Sequence, residues 1–156
     1  MSLVPILKAH RFFRRLETDE IEKITEFSER RRYPKDDKIY LHDQKADKIY
    51  LLLQGTVFLR TRAREDQAKV IVSKLEVGDL FGVGPLLGSN YYTLEAYCAE
   101  ESEVLCIDAE KFKNLLEANH KAGFLIMGEV AKVYFERYIA ILNRLQKFIS
   151  QIPLVH

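Results

Sequence analysis

Apolar positions change their spacing twice along this chain. In RFFRRLETDEIEKITEFSERR, residues 11–31, Phe12, Phe13, Leu16, Ile21, Ile24 and Phe27 recur at three-to-four spacing, the period that puts side chains on one helix face. The spacing predicts a helix over 11–31, hinged near Glu17 and Thr18. Thr18 reads as the cap of the second piece, with acids in its first turn. Arg30, Arg31 and Arg32 read as its solvated carboxyl end, where cations are favoured.

From Tyr33 to Asp108 the period falls to two. KIYLH, DKIYLLLQG, TVFLRTR, AKVIVSKL, YYTLEAYCA and EVLCID are short runs rich in Ile, Val, Leu and Tyr. The turn-forming separators are PKDD, DQKAD, Gly55, AREDQ, EVGD and EESE. Within AKVIVSKL, Val70 and Val72 are expected on one face and Ile71 and Ser73 on the other. About eight short strands at regular spacing predict a closed, mainly β sandwich or roll with flanking helices. After Asp108 the helical period returns. DAEKFKNLLEANH predicts a short helix capped by Asp108 and buried through Phe112, Leu115 and Leu116. A long helix is predicted over about Lys121 to Gln151, ended by Pro153. The expected organisation is an N-terminal helical segment (1–32), a β-roll (33–108) and C-terminal helices (109–152), all one domain.

The long helix carries two apolar sets. Met127, Ala131, Tyr134, Tyr138, Ile141, Leu145, Phe148 and Ile152 follow a four-then-three heptad spacing. Ile126, Val130, Val133 and Ile149 form the other set. One set suffices for docking on the domain, so the heptad seam, with Met127, Tyr134, Tyr138, Ile141, Leu145 and Phe148 as its core, predicts pairing with a second copy of the chain.

Composition narrows the function. The 156 residues are 47% apolar and 30% charged with a formal charge of +1, which favours neither nucleic acid nor an acidic substrate by bulk electrostatics. No apolar run approaches the ~20 residues that span a bilayer. Cys98 and Cys106 lie in apolar strand-like sequence and match no metal or redox spacing, which predicts buried, reduced thiols and a cytoplasmic protein. Of the histidines, only His42 lies among the strands. Its neighbour Asp43 is expected on the opposite strand face, so no metal or catalytic cluster is predicted and the chain reads as a non-enzyme.

GDLFGVGPLLGSNYYTLEAYCAE, Gly78 to Glu100, holds four of the seven glycines, yet no Arg, Lys or His lies between Gly82 and Glu95. Together with RRYPKDDKIYLHDQKADKIYLLLQGTV and VLCIDAEKFKNLL, its LEVGDLFG turn and following Leu-Leu resemble the cyclic nucleotide-binding domains of catabolite activator proteins, kinase regulatory subunits and gated channels. The resemblance spans Phe12 to Ile149 and implies an eight-stranded jelly-roll β-roll flanked by ligand-responsive helices. It implies a sugar-phosphate cage built from a Gly-rich turn and the start of a short helix. Two side chains usually complete that cage: an acid for the ribose hydroxyl and an arginine for the phosphate. Here Val83 stands at the acid's position and Tyr92, beside Thr93, at the arginine's, while Pro85 brings no N–H.

Three readings remain open at this level. The pocket takes a less charged small molecule, lined by Phe81, Gly82, Val83, Gly84, Leu86, Leu87, Tyr91, Tyr92, Thr93 and Tyr97; or its own side chains fill it and the chain is a ligand-free dimerisation scaffold; or cyclic AMP or cyclic GMP binds through backbone contacts. By resemblance, Tyr134 and Tyr138 of the long helix reach over the pocket. No cofactor beyond such a ligand is expected. With no helix-turn-helix within the 156 residues, the expected output is contact with another protein, as homodimer and downstream partner, rather than with DNA or membrane.

Overall fold

In Lys48–Gln54 the residues Ile49, Tyr50, Leu51 and Leu52 are all buried, because both faces of this strand are covered. Ile49 and Leu51 pack with the helices, whereas Tyr50 and Leu52 point into the roll. The same split divides Leu105 and Ile107 from Val104 and Cys106. A continuous apolar run is what a strand buried on two faces requires.

The structure is a computed structural model that describes residues 2–62 and 68–152; the AREDQ turn and Pro153 lie outside them. Helices α1 (Val4–Lys8) and α2 (Thr18–Glu26) precede eight strands: β1 (Ser28–Tyr33), β2 (Lys38–Tyr40), β3 (Lys48–Gln54), β4 (Val57–Arg60), β5 (Ile71–Leu75), β6 (Leu80–Phe81), β7 (Glu95–Cys98) and β8 (Ser102–Asp108). A 3-10 turn, Gly84–Leu87, separates β6 from β7, and α3 (Ala109–Ala118) and α4 (His120–Ser150) close the chain. The strands form two antiparallel four-stranded sheets, ordered β1-β8-β3-β6 and β2-β7-β4-β5. One core cluster joins the facing sides of the two sheets, and a second joins the outer side of the β8-β3 sheet to the helices. The expected mainly β roll with flanking helices is the fold observed.

The N-terminal expectation needs three corrections. Arg30, Arg31 and Arg32 are not a helix end: Ser28 to Tyr33 pairs residue for residue with Ile107 to Ser102. No apolar alternation marks β1, because its arginines instead pair with Glu29, Glu101 and Glu103. Charged edge strands of this kind also discourage sheet extension. Residues 10–16 form turns rather than regular helix, although Phe12, Phe13 and Leu16 are buried as expected. The cap of α2 is Glu17, whose N–H donates to the Glu20 carboxylate at 3.0 Å, and Thr18 is the first helical residue.

At β5, Val70 and Ile71 are both exposed, and Leu75 alone within the strand is fully buried, so the expected alternation fails on this edge strand. The C-terminal expectations hold more closely. Asp108 accepts from the Lys111 N–H at 3.0 Å, and Phe112 and Leu116 are buried with Leu115 packed beside them. Asn119 caps α4 by accepting from the Ala122 N–H at 3.1 Å. Gly123 lets the two helices meet: a Cβ there would stand 2.7 Å from the Leu116 carbonyl oxygen. Ile126 and Val130 are buried and Val133 packs against the same core, whereas Ile149 is exposed, contrary to its expected docking role. Beyond Ala140 the helix is tethered by Arg144, which donates to the Ile71 and Val72 carbonyls on the free edge of β5 at 3.3 and 3.1 Å.

Candidate functional site

The Gly78–Thr93 segment forms one wall of a cavity of about 380 Å³, and α4 forms the opposite wall. Phe81 and Gly82, leaving β6, start the near wall; Val83, Gly84 and Leu87 of the 3-10 turn continue it, and Tyr91, Tyr92 and Thr93 complete it. Tyr134 and Tyr138 close it from α4, as the resemblance implies. Leu86 does not line it: within the four-residue turn it faces the helix-side core, while Leu87, 55% exposed, stands at the mouth. Tyr97 is on the outer face of its sheet, its ring beneath the Arg60 guanidinium at 3.8 Å and its hydroxyl on Asp36.

Tyr92 folds inward at 4% exposure and stacks on Tyr40 with ring centroids 3.8 Å apart and planes 17° from parallel. Its hydroxyl donates to the Lys48 carbonyl at 2.7 Å and accepts from the Lys48 N–H at 3.3 Å. Tyr50 and Phe81 extend the aromatic group, with centroids 5.4 Å apart. Gly82, at φ +65°, lies against these rings: a Cβ there would come within 3.1 Å of Tyr50, 3.2 Å of Tyr40 and 3.3 Å of Tyr92. Burial pushes the phenols of Tyr40, Tyr50 and Tyr92 above the ordinary tyrosine range, so all three are neutral at physiological pH.

The turn bonds part of its own backbone and brings no positive side chain. The Leu86 N–H bonds the Val83 carbonyl, the Ser89 N–H the Gly84 carbonyl and the Gly88 N–H the Pro85 carbonyl. Pro85 has no N–H. Val83 is buried and apolar. On this wall no side chain carries positive charge.

The cation comes from the other side. Arg137, absent from the sequence-derived site, lines the cavity between Tyr134 and Tyr138. Tyr134, Arg137, Tyr138 and Ile141 lie at i, i+3, i+4 and i+7, so helical spacing from Tyr134 was the signal for it. Among the described residues, no carboxylate lies within ion-pair distance of Arg137. Tyr40, Leu59, Val72 and Leu94 were also missed: the first three reach the cavity from β2, β4 and β5 and Leu94 from the bend before β7, and that convergence depends on sheet topology.

The seam residues of α4 divide in the structure. Tyr134, Tyr138 and Ile141 border the cavity, Met127 is half-buried, and Leu145 and Phe148 are exposed. Phe124, at 80% exposure, Phe135, Tyr138, Leu142, Leu145, Ile149 and Ile152 are exposed apolar residues that, with Gly128 and Ala131 between them, keep the four-then-three spacing.

His42 and Asp43 do converge, contrary to expectation. Asp43 sits in a turn at φ +66°, which brings its carboxylate 2.9 Å from His42 Nδ1. No group of three metal-ligating side chains occurs among the described residues. Cys98 and Cys106 are free and buried, with burial pushing the Cys106 thiol up to about 11. No described helix is long and apolar enough to cross a membrane.

Residues 30–119, more than half the chain, match the cyclic nucleotide-binding domain family. A Drosophila melanogaster cGMP-dependent protein kinase, isozyme 2 forms cD5/T2, is 28% identical over 112 residues; the match covers 70% of this chain and 12% of the kinase. In structure, the chain is similar to a candidate cyclic nucleotide-binding protein of Geobacter metallireducens (TM-score 0.76, 28% identity, 88% of this chain and 99% of that one). It shares its fold with the regulatory domain of Toxoplasma gondii PKA crystallised with cAMP (TM-score 0.71, 18% identity, 83% of this chain and 48% of that one). With the turn, the roll and the covering helix in place, this chain belongs to the cyclic nucleotide-binding domain family.

Proposed function

We propose that this chain is a non-catalytic, ligand-sensing regulatory module of the cytoplasm with a degenerate phosphate cassette, acting through contact with other proteins. The observation that carries this reading is the shared wall: Tyr134, Arg137, Tyr138 and Ile141 of α4 line the same cavity as the Gly-rich turn. A ligand that contacts both walls favours one pose of α4 over others, which is all a sensor needs. The exposed seam on α4 suits pairing with a second copy, so ligand and dimer geometry are linked through one helix.

A ligand-free dimerisation scaffold is the second reading. It is favoured by the Tyr40–Tyr92 stack, which fills the cavity floor beside the Gly-rich turn with the protein's own side chains. Thermal unfolding against cyclic mono- and dinucleotides and small organic acids separates the two. A ligand at a hundred times its Kd adds about 2.7 kcal/mol, a rise of several degrees. At least one compound is expected to produce that rise and to slow amide exchange within residues 134–141. A panel in which nothing does so supports the scaffold.

A further inference from the structure

We propose that the cavity binds a flat, largely apolar molecule carrying one acidic group, seated with its apolar body against the Gly-rich turn and its acid toward Arg137 on α4. This rests on the ligand-sensing reading above and specifies the ligand and its direction. The charge pattern is the reverse of what a sugar-phosphate cage requires. At the turn the N–H groups of Leu86, Gly88 and Ser89 are bonded to the turn's own carbonyls, and Val83 and Tyr92 bring no charge. The floor there is aromatic, with Tyr40 and Phe81 beside Tyr92, and the side walls are Leu59 and Leu94. An anion at that end would lose hydration and meet no positive side chain to replace it.

At the α4 end the situation is opposite. Arg137 is half-buried at the cavity's edge, flanked by Tyr134, over whose ring its guanidinium lies at 5.5 Å. A guanidinium held on an aromatic face is pre-organised for a carboxylate or sulfonate, which accepts two N–H bonds in one plane. A cavity of about 380 Å³ accommodates two or three fused or linked rings.

The test uses anilinonaphthalene sulfonate, a flat apolar body with one sulfonate, and its uncharged parent phenylnaphthylamine, with cyclic AMP as a third probe. Each is titrated by fluorescence or calorimetry into wild type, Arg137→Gln and Lys132→Gln. Lys132 is a charge control about a turn and a half before Arg137 on α4, exposed and outside the cavity lining. The expected result is one sulfonate bound per chain, weakened about tenfold or more by Arg137→Gln. Binding of the neutral parent to Arg137→Gln, and of the sulfonate to Lys132→Gln, should stay within about twofold of wild type. Equal weakening of the sulfonate by both variants, or no weakening by Arg137→Gln, overturns the proposal. Cyclic AMP binding that ignores Arg137→Gln overturns the orientation and leaves the sensor reading standing. Failure of the sulfonate to bind wild type also overturns the proposal, while the sensor reading then stands or falls with the thermal-unfolding panel.

Discussion

Tyr92 alters the chemistry of the cassette more than any other single residue. Where the resemblance expects an arginine extended over the ligand, the phenol turns back into the roll, because its hydroxyl finds both a carbonyl and an N–H on Lys48 and its ring finds Tyr40. Its neutrality was legible in the sequence; its inward direction was not, since the partners come from β2 and the start of β3, more than forty residues away. An anion does gather cations on the strand that follows, but on its outer face. Glu95 is buried there beside Arg60, Lys69 and Lys38; Lys69 Nζ lies 2.9 Å from both carboxylate oxygens, and Arg60 Nε donates at 2.8 Å. Burial raises the Glu95 pKa, but the hydrogen bonds from Lys69 and Arg60 outweigh it and the net shift is downward. A depressed carboxylate stabilises the fold above its unfolded pKa and loses that contribution as pH falls through the folded value. Glu95→Gln is therefore expected to cost about 1.5–3 kcal/mol at neutral pH. The difference from wild type in urea unfolding should shrink below about pH 4.5 as the wild-type carboxylate protonates. A difference constant from neutral to acid pH would contradict the ion cluster's role.

The elements differ in how plainly the sequence declares them, and the reason is partnership. β3, β8, α3 and α4 carry their own signal, because apolar periodicity records which faces are buried. β1 is defined by the backbone of β8, and β6 is only two residues long, so neither carries a pattern of its own. α4 is an intermediate case. Its first half shows its docking face in Ile126, Val130 and Val133, but from Phe135 on the apolar residues encircle the helix, and the sequence does not say which row faces the cavity and which faces outward. The structure separates them: Tyr134 and Ile141 turn to the cavity, and Phe124, Phe135, Leu142, Leu145 and Ile149 turn away. A row this long and apolar on a solvated helix is an interface pattern. Sedimentation at tens of micromolar is expected to give a dimer for wild type and a monomer for Phe135→Glu with Leu142→Glu, both with the same melting of the roll. A monomeric wild type would end the dimer proposal.

At the scale of the whole molecule, a backbone cage and its chemical content have come apart. The order of turn, strand and covering helix belongs to the cyclic nucleotide-binding family, while no positive side chain stands on the turn and one, Arg137, stands on α4. Family and fold were legible because they depend on the spacing of glycines and apolar residues over the full chain. The site was legible only where it is local: the uncharged turn was visible, but the rest of the cavity assembles from β2, β4, β5 and α4, and Arg137 comes with α4. Calorimetric titration of cyclic AMP and cyclic GMP into the purified, unmodified protein is the most direct measurement of that separation. The expected result is no binding tighter than about millimolar, the affinity left once the charged anchors of a micromolar site are gone. Stoichiometric binding of either nucleotide at micromolar or tighter affinity would contradict it.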